Sequence, residues 1–378
     1  MASPLVSVVM SVRNGERFLR EAVESILDQT FREFEFIIID DGSTDCSGSM
    51  LDSYQRNDSR VRVFHQENRG LVMSLNRGVE LARGTYIARM DADDVSLPHR
   101  IAVQVAALET NHDLAAVGGA AELIDSVGNS LGMHPYPAED EEIRSILFQG
   151  GCPLLHPAVV FRREAIMCVG RYRKAVVHAE DYDLFLRLAE KYQFANVKEV
   201  VLQYRRHSGQ VSIRKFKQQA LSSLAARFSA RARHHGTHDP LETDQVVTAT
   251  TLSRLGVSER EQAEIILRHY LTTIRSMYDA GERQLARELQ EEVLRSVEWS
   301  SADRSLIADL YLLIARQKWI DKEYWPSMRA LAQAVGVRPV ILGRPVKHFV
   351  RRAGFTTFGT VSFPVAEKHG RGPLGRRR

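Results

Sequence analysis

The sequence predicts an α/β fold, a mostly parallel sheet flanked by helices, followed by an α-helical C-terminal region. Three observations predict it. Apolar runs of strand length alternate with amphipathic helical stretches through the first half of the chain, as expected of strands covered on both faces. Acidic clusters follow two of those runs directly, at Asp40-Asp41 and at Asp91, Asp93 and Asp94, and open α/β sheets bind ligands at the carboxyl ends of their strands. From Phe216 to about Val340 the pattern turns to helix alone.

Leu5 to Val12 is a nearly continuous apolar run and reads as the first buried strand. Asn14 and Gly15 break it, with Asn14 placed to cap a helix in which Leu19, Ala22, Val23, Ile26 and Leu27 recur at helical spacing. Phe34 to Ile39 is the second strand, so the opening is a right-handed βαβ unit. It ends in Asp40-Asp41-Gly42-Ser43-Thr44-Asp45, a DG turn with Ser43 and Thr44 capping the next helix. A carboxylate there is also placed to accept from a base N–H or a ribose hydroxyl. Val61 to His65 is a third strand, and Leu71 to Ala82 a helix stopped at Gly84.

Tyr86 to Met90 is a buried strand that runs into Asp91-Ala92-Asp93-Asp94, and Pro98 opens a helix. Three carboxylates this close repel one another unless a cation lies between them. A divalent cation that itself holds a phosphate is the economical answer, and a polar turn with an Asp helix cap is the plain one. Leu108 to Gly119 passes from helix to apolar strand, and Gly150 to Pro157 (GGCPLLHP) is a loop in which His156 is expected to pack beside Pro157, the alternative being that it faces a ligand. Glu180-Asp181-Tyr182-Asp183 opens a helix with Leu184, Phe185, Leu188 and Ala189 on its apolar face. The helix dipole at that position lowers a carboxyl pKa, while the neighbouring Glu180 and Asp183 raise it. Val197 to Leu202 is a strand ending in Tyr204-Arg205-Arg206-His207. No G-x-G-x-x-G or G-x-x-x-x-G-K-[ST] cradle occurs, so phosphate falls to a metal and side chains.

Composition bounds the function. Of 51 Lys/Arg and 47 Asp/Glu, nine basic residues and one acidic residue lie in 341–378, which leaves 42 against 46 elsewhere. The net basicity therefore belongs to the tail, which argues against a nucleic-acid-binding body. Cys46, Cys152 and Cys168 show neither zinc spacing nor a disulfide framework, so a reducing, cytoplasmic setting is expected. No apolar run approaches the length of a membrane span, and the N-terminus reads as a strand and not a signal peptide.

Four segments in order, SVVMSVRNGERFLREAVESILDQTF (7–31), FIIIDDGSTD (36–45), NRGLVMSLNRGVELARGTYIARMDADD (68–94) and HAEDYDLFLRL (178–188), resemble family 2 glycosyltransferases of the GT-A fold, a Rossmann-like nucleotide-diphospho-sugar transferase architecture. The resemblance covers residues 4 to 213 and implies an inverting transferase that uses a nucleotide-diphosphate sugar, UDP-sugar foremost, with Mn²⁺ or Mg²⁺. By position it implies that Ser11 and Arg13 touch the base, although many relatives carry an aromatic where Arg13 stands, and that Asp41 reads the base edge. It assigns Asp93 to the metal, Asp91 to ribose or metal, and Asp181 to the catalytic base. In the Y-R-x-H-like segment it gives Arg206 to the diphosphate and His207 to the metal or a phosphate. The Q-x-x-R-W of processive relatives is unmatched, because His207 follows Arg206, so one sugar per encounter is expected.

The chain thus divides into a transferase domain (1–213), a helical region (214–340) and a basic tail (341–378). A glycan or lipid-linked acceptor in surface polysaccharide synthesis is the implied partner. The tail offers attraction to anionic lipid at the inner face of the plasma membrane, or is a solvated extension, and the helical region offers a surface for self-association. Two other classes compete: a sugar-1-phosphate nucleotidylyltransferase, which calls for a glycine-rich signature where SVRNGE has one glycine, and a non-catalytic sugar-nucleotide-binding scaffold.

Overall fold

Val6–Val12 (β1) buries nearly every side chain, and it is the strand on which the sheet is built. Phe34–Asp41 (β2) pairs along one side of it and Tyr86–Met90 (β4) along the other, both parallel; Val61–Gln66 (β3) extends β2, also parallel. The computed structural model describes residues 3–207, 215–242, 246–279, 281–296 and 303–338, in two units, Met1–Ala302 and Asp303–Arg378.

In the first unit the sheet order is β3-β2-β1-β4-β8-β6-β9-β5, where β5 is Val95–Ser96, β6 Leu114–Ile124, β8 Val160–Arg162 and β9 Gln193–Arg205. Ser130–His134 (β7) pairs with β6 off this path. The short β8 runs antiparallel to both neighbours, so β4 and β6 point the same way, and β9 runs parallel to β6. The α/β architecture of GT-A type expected from the sequence is the one adopted. Register fixes where function can sit: Val12 lies opposite Asp40, and Met10 opposite Met90, so the ends of β1, β2 and β4 share one edge. β5 pairs with the end of β9, Val95 opposite Gln203, which brings Arg205 to that same edge.

Helices cover both faces. Leu19–Leu27 (α1) buries Leu19, Ala22, Val23 and Ile26, one stripe at helical spacing. Ser47–Asn57 (α2), Leu71–Leu81 (α3) and Arg100–Thr110 (α4) follow β2, β3 and β5. In α3 a Cβ on Gly78 would stand 2.3 Å from a methyl of Val9, so the helix approaches β1 as closely as only glycine allows. Asp140–Gln149 (α5), Arg163–Cys168 (α6) and Glu180–Ala189 (α7) complete the first half.

Two expected caps are absent. Asn14 does not cap α1, which starts at Leu19 without a side-chain cap, and Ser43 and Thr44 do not cap α2, which starts at Ser47. The loops are laced to each other instead. Asn14, at φ 54°, accepts from the Thr44 amide at 2.7 Å and donates its own amide to Ser43 Oγ at 3.0 Å. The amides of Gly15 and Cys46 donate to Ser47 and Glu16. The open backbone groups at this edge are met across the gap between loops and not within each helix.

Phe216–His234 (α8), Ala249–Arg254 (α9), Glu259–Asp279 (α10) and Arg283–Ser296 (α11) form the helical part of the first unit. α8 is tied to α7 by a buried charge network. Arg173 pairs with Asp183 and Asp239, Arg187 with Asp183, and Arg233 with Asp239. The second unit, where described, is a helical hairpin of Arg304–Ile320 (α12) and Tyr324–Val337 (α13). Asp303 caps α12 by accepting from the Ser305 amide at 2.6 Å, and Ser327 donates to the Ala315 carbonyl at 2.7 Å. The tail expected at 341–378 lies outside the described residues. Among the described residues no helix is long and apolar enough to cross a membrane.

Candidate active site

The acidic loop that follows β4 is preformed. One ligand atom each from Asp91, Asp93 and Asp94 lies within 4.8 Å of the others. The loop is wired to the end of β9 rather than to itself. Asp94 Oδ1 accepts from the Arg205 amide at 2.8 Å, and Arg205 Nε donates to the Asp93 carbonyl at 2.8 Å. Arg205 also pairs with Glu21 and lies 4.7 Å over the Phe18 ring. The His207 ring sits 4.9 Å from Phe18, and its Nε2 is 2.8 Å from Asp93 Oδ2. Burial beside Asp93 and Asp91 pushes the Asp94 carboxyl well above its ordinary value, and Asp94 Oδ2 is buried without a hydrogen-bond partner.

These residues fit a divalent ion. Converging carboxylates with one imidazole at their rim are the donor set of Mn²⁺, or of Mg²⁺ on the oxygens alone, and the orphaned oxygen of Asp94 shows the cluster's own hydrogen bonds leave it unsatisfied.

Beneath the loop lies a residue the sequence reading passed over. Arg89, on β4, is 4% exposed and pairs with Asp91. Its carbonyl is held by Arg100 Nη2 at 2.6 Å. Burial alone would weaken its charge; Asp91, with help from Asp94, outweighs that and keeps the guanidinium protonated. The signal was an arginine inside a strand whose five residues otherwise read as covered on both faces. Arg89 also bears on His156, which is buried and held well below its ordinary pKa, first by burial and then by this cation. His156 Nε2 is 2.8 Å from the hydroxyl of Tyr172, another residue not singled out by sequence. The His156 ring packs against Phe161, Tyr172 and Phe185, partners the sequence reading did not name.

The start of α7 faces the same cation. Glu180 is buried and its carboxyl is pushed up to about 8, by burial first and then by the charge of Asp181. Asp181 is raised by burial and, more weakly, by Asp91; the Tyr182 amide, donating at 2.7 Å, and Arg89 pull the other way. Burial, and not the Glu180 and Asp183 charges expected to oppose the helix dipole, is what raises Asp181 most. Asp183 takes no part in it, being turned into the pairs with Arg173 and Arg187. Cys152, exposed in the glycine loop after α5, has its thiol raised by the protein packed around it and by the charge of Asp181, so that loop borders the same carboxylate.

The base end is organised differently. Ser11 is half-buried at the end of β1 and Arg13 is exposed. Asp41 is buried, with Oδ1 accepting from Gln66 Nε2 at 2.7 Å and the Arg69 amide at 2.8 Å, and Oδ2 from the Gly70 amide at 2.8 Å. It holds the turn before α3. Asp40 faces away, 2.8 Å from His65 Nδ1, whose other nitrogen meets Asp52 at 3.1 Å. The strand of Asp41 and that of Asp91 are two spacings apart, roughly 10 Å. Arg206 Nε lies 3.7 Å from Glu282, just before α11. The structure thus brings Asp91, Asp93, Asp94 and His207 into contact, links them through Arg89 to Glu180 and Asp181, and places Ser11 and Asp41 along the same edge.

The family model described as glycosyl transferase family 2 matches residues 7–170. An uncharacterized glycosyltransferase of Methanocaldococcus jannaschii is 33% identical over 228 residues, 59% of this chain and 78% of that protein. The O-antigen biosynthesis glycosyltransferase WbnJ of Escherichia coli is 34% identical over 209 residues, 54% of this chain and 80% of that protein. Among solved structures, a mannosyltransferase from Pyrobaculum calidifontis in complex with GDP-Man and Mn²⁺ superposes with TM-score 0.49 at 15% identity, covering 91% of this chain and 89% of that one.

Proposed function

Since the chain belongs to glycosyltransferase family 2 and is a glycosyltransferase, we propose that it moves one sugar per encounter, with inversion, from a nucleotide-diphosphate donor to a hydroxyl of a glycan or lipid-linked acceptor. The donor is read as a UDP-sugar and the pathway as surface polysaccharide synthesis, a reading supported by the relative named for O-antigen biosynthesis. The observation that carries it is the gathering of two acidic groups distant in sequence, Asp91-Asp93-Asp94 and Glu180-Asp181, around the buried cation Arg89.

Asp181 is the base that takes the acceptor hydroxyl proton. Its raised pKa suits the task, because a base titrating nearer the working pH accepts a proton with more driving force. Glu180, pushed up to about 8, stays largely protonated near neutrality and adds no second charge beside it. Asp93, Asp91 and His207 would hold a Mn²⁺ or Mg²⁺ ion, whose chemistry there would be Lewis-acid charge for a leaving diphosphate. Arg206 exchanges Glu282 for a phosphate oxygen. Ser11 and Arg13 line the base, and Asp41 orders the turn beside it while offering its carboxylate edge.

In this reading residues 1–213 carry the chemistry and 214–340 offer a surface for self-association. The tail at 341–378 meets anionic lipid. The hairpin before it supports that last point: Ile320, Tyr324, Trp325 and Met328 are exposed at one corner, Trp325 at 82%, beside exposed Lys322 and Arg329. A thermal-shift panel of UDP-, GDP- and dTDP-sugars with Mn²⁺ tests the donor. A UDP-sugar is expected to raise the melting temperature and GDP-mannose to leave it unchanged, and the reverse ranking would replace UDP as the base.

A further inference from the structure

We propose that Arg89 is the site's resident counter-cation, a positioning residue that holds Asp91 in place while no divalent ion is bound and competes with that ion for the same carboxylate. The inference rests on the metal reading given above and deepens it.

Four observations carry it. A lone charge in a buried strand is costly unless paired, and Arg89 is the one charged side chain of β4, with Asp91 as its partner. The neighbouring Arg100 is by contrast fully employed, with Nε to Gln104 at 3.2 Å, Nη2 to the Arg89 carbonyl at 2.6 Å and Nη1 to Met90 Sδ at 3.4 Å. Arg89 spends Nη1 on Asp91 and leaves its buried Nε without a hydrogen-bond partner, so it serves through its charge on that carboxylate more than as a crosslink of the fold. Finally, Arg89 divides the acid cluster. Asp91 is turned down to the guanidinium while Asp93 is turned to His207. An ion entering between Asp93 and His207 meets an Asp91 already half-neutralised from below.

A cation fixed a few ångströms away does two opposed things. It keeps the carboxylates converged when the site holds no ion, and it repels the ion that enters. Removing the charge while keeping a polar side chain therefore predicts tighter ion binding on a less stable apo protein.

The test uses the full chain, stripped with EDTA and titrated with Mn²⁺ by calorimetry at pH 8. Arg89→Gln is expected to bind Mn²⁺ about tenfold more tightly than wild type, the scale of one charge at the effective dielectric of such a cleft, and to melt lower in EDTA. Arg89→Lys keeps the charge and is expected to stay close to wild type in both. Arg89→Gln binding Mn²⁺ no more tightly than wild type would overturn the inference, as would Arg89→Lys behaving like Arg89→Gln. If Arg89→Gln does not fold, the double variant R89Q/D91N, which removes both charges of the pair, is expected to fold; a double variant that also fails makes Arg89 a packing residue and ends the proposal. Absence of Mn²⁺ binding in every protein, wild type included, overturns the metal reading and this inference together, whereas binding without a difference overturns this inference alone.

Discussion

Glu180 and Glu35 are both buried carboxylates, and their environments send them in opposite directions. Glu180 has burial and Asp181 against its charge and is pushed up to about 8. Its folded-state pKa lies above its ordinary value of 4.5, so the folded chain holds the proton more tightly than the unfolded one. The resulting stability is full below the ordinary value and is lost as pH rises through about 8. In EDTA, urea midpoints are expected to fall across that window, and Glu180→Gln to flatten the fall; an unchanged slope would remove Glu180 as its source. Glu35 is also raised by burial, but bonds from Arg83, Ser7 and Arg62 outweigh it and hold the carboxyl below its ordinary value. Its contribution is present at neutral pH and fails as pH drops through the acid range. Ser7 Oγ donates to it at 2.7 Å and Arg83 Nε at 2.9 Å, while Arg62 Nη1 lies 2.5 Å away. Glu35 is buried but its arginines reach solvent, Arg83 being 58% exposed, so losing the carboxylate costs about 1–3 kcal/mol. Glu35→Ala is expected to lose stability on that scale by denaturant unfolding with the site's donor affinity unchanged; a loss below ~1 kcal/mol would contradict it.

At the scale of elements, the site depends on joints between pieces remote in sequence. The acidic loop is held by the end of β9, and α7 is held by α8 through Arg173, Asp183 and Asp239. Arg173→Met takes one of two arginine partners from each of two buried carboxylates, Asp183 keeping Arg187 and Asp239 keeping Arg233, and is expected to cost roughly 1–3 kcal/mol, visible as a lower urea midpoint at unchanged slope. A midpoint within error of wild type would show that α8 is not needed to seat α7. This is also where sequence reading stops short. The β1, β2 and β4 strands and the α1 stripe were legible, because period and burial agree along VSVVMSV, FEFIIIDD and LREAVESIL. The acidic clusters were legible because strand ends fix where they lie. The three-residue β8, which reverses direction between β4 and β6, carries no periodic signal and was missed. The Asn14 cap was misjudged because its partner, Thr44, is thirty positions on, and local rules see only the nearest helix. Arg89 was passed over since a motif search weighs the carboxylates after a strand and not the cation within it.

For the whole molecule, the first unit holds every residue assigned to chemistry, and the second presents an exposed aromatic corner ahead of a basic tail. Full-length protein is expected to co-sediment with vesicles rich in anionic lipid and to be released by salt, and the pair Tyr324→Ser with Trp325→Ser to weaken that binding. Binding by the variant equal to wild type would leave the tail alone to account for it. The central claim is that two acidic groups far apart along the chain serve one reaction, with Asp181 as the proton acceptor. The most direct measurement is sugar transfer by Asp181→Asn alongside its affinity for the donor. The account predicts a fall in transfer of roughly 10²–10⁴-fold with donor affinity held near wild type. Transfer at the wild-type rate, or donor affinity lost together with transfer, would contradict it.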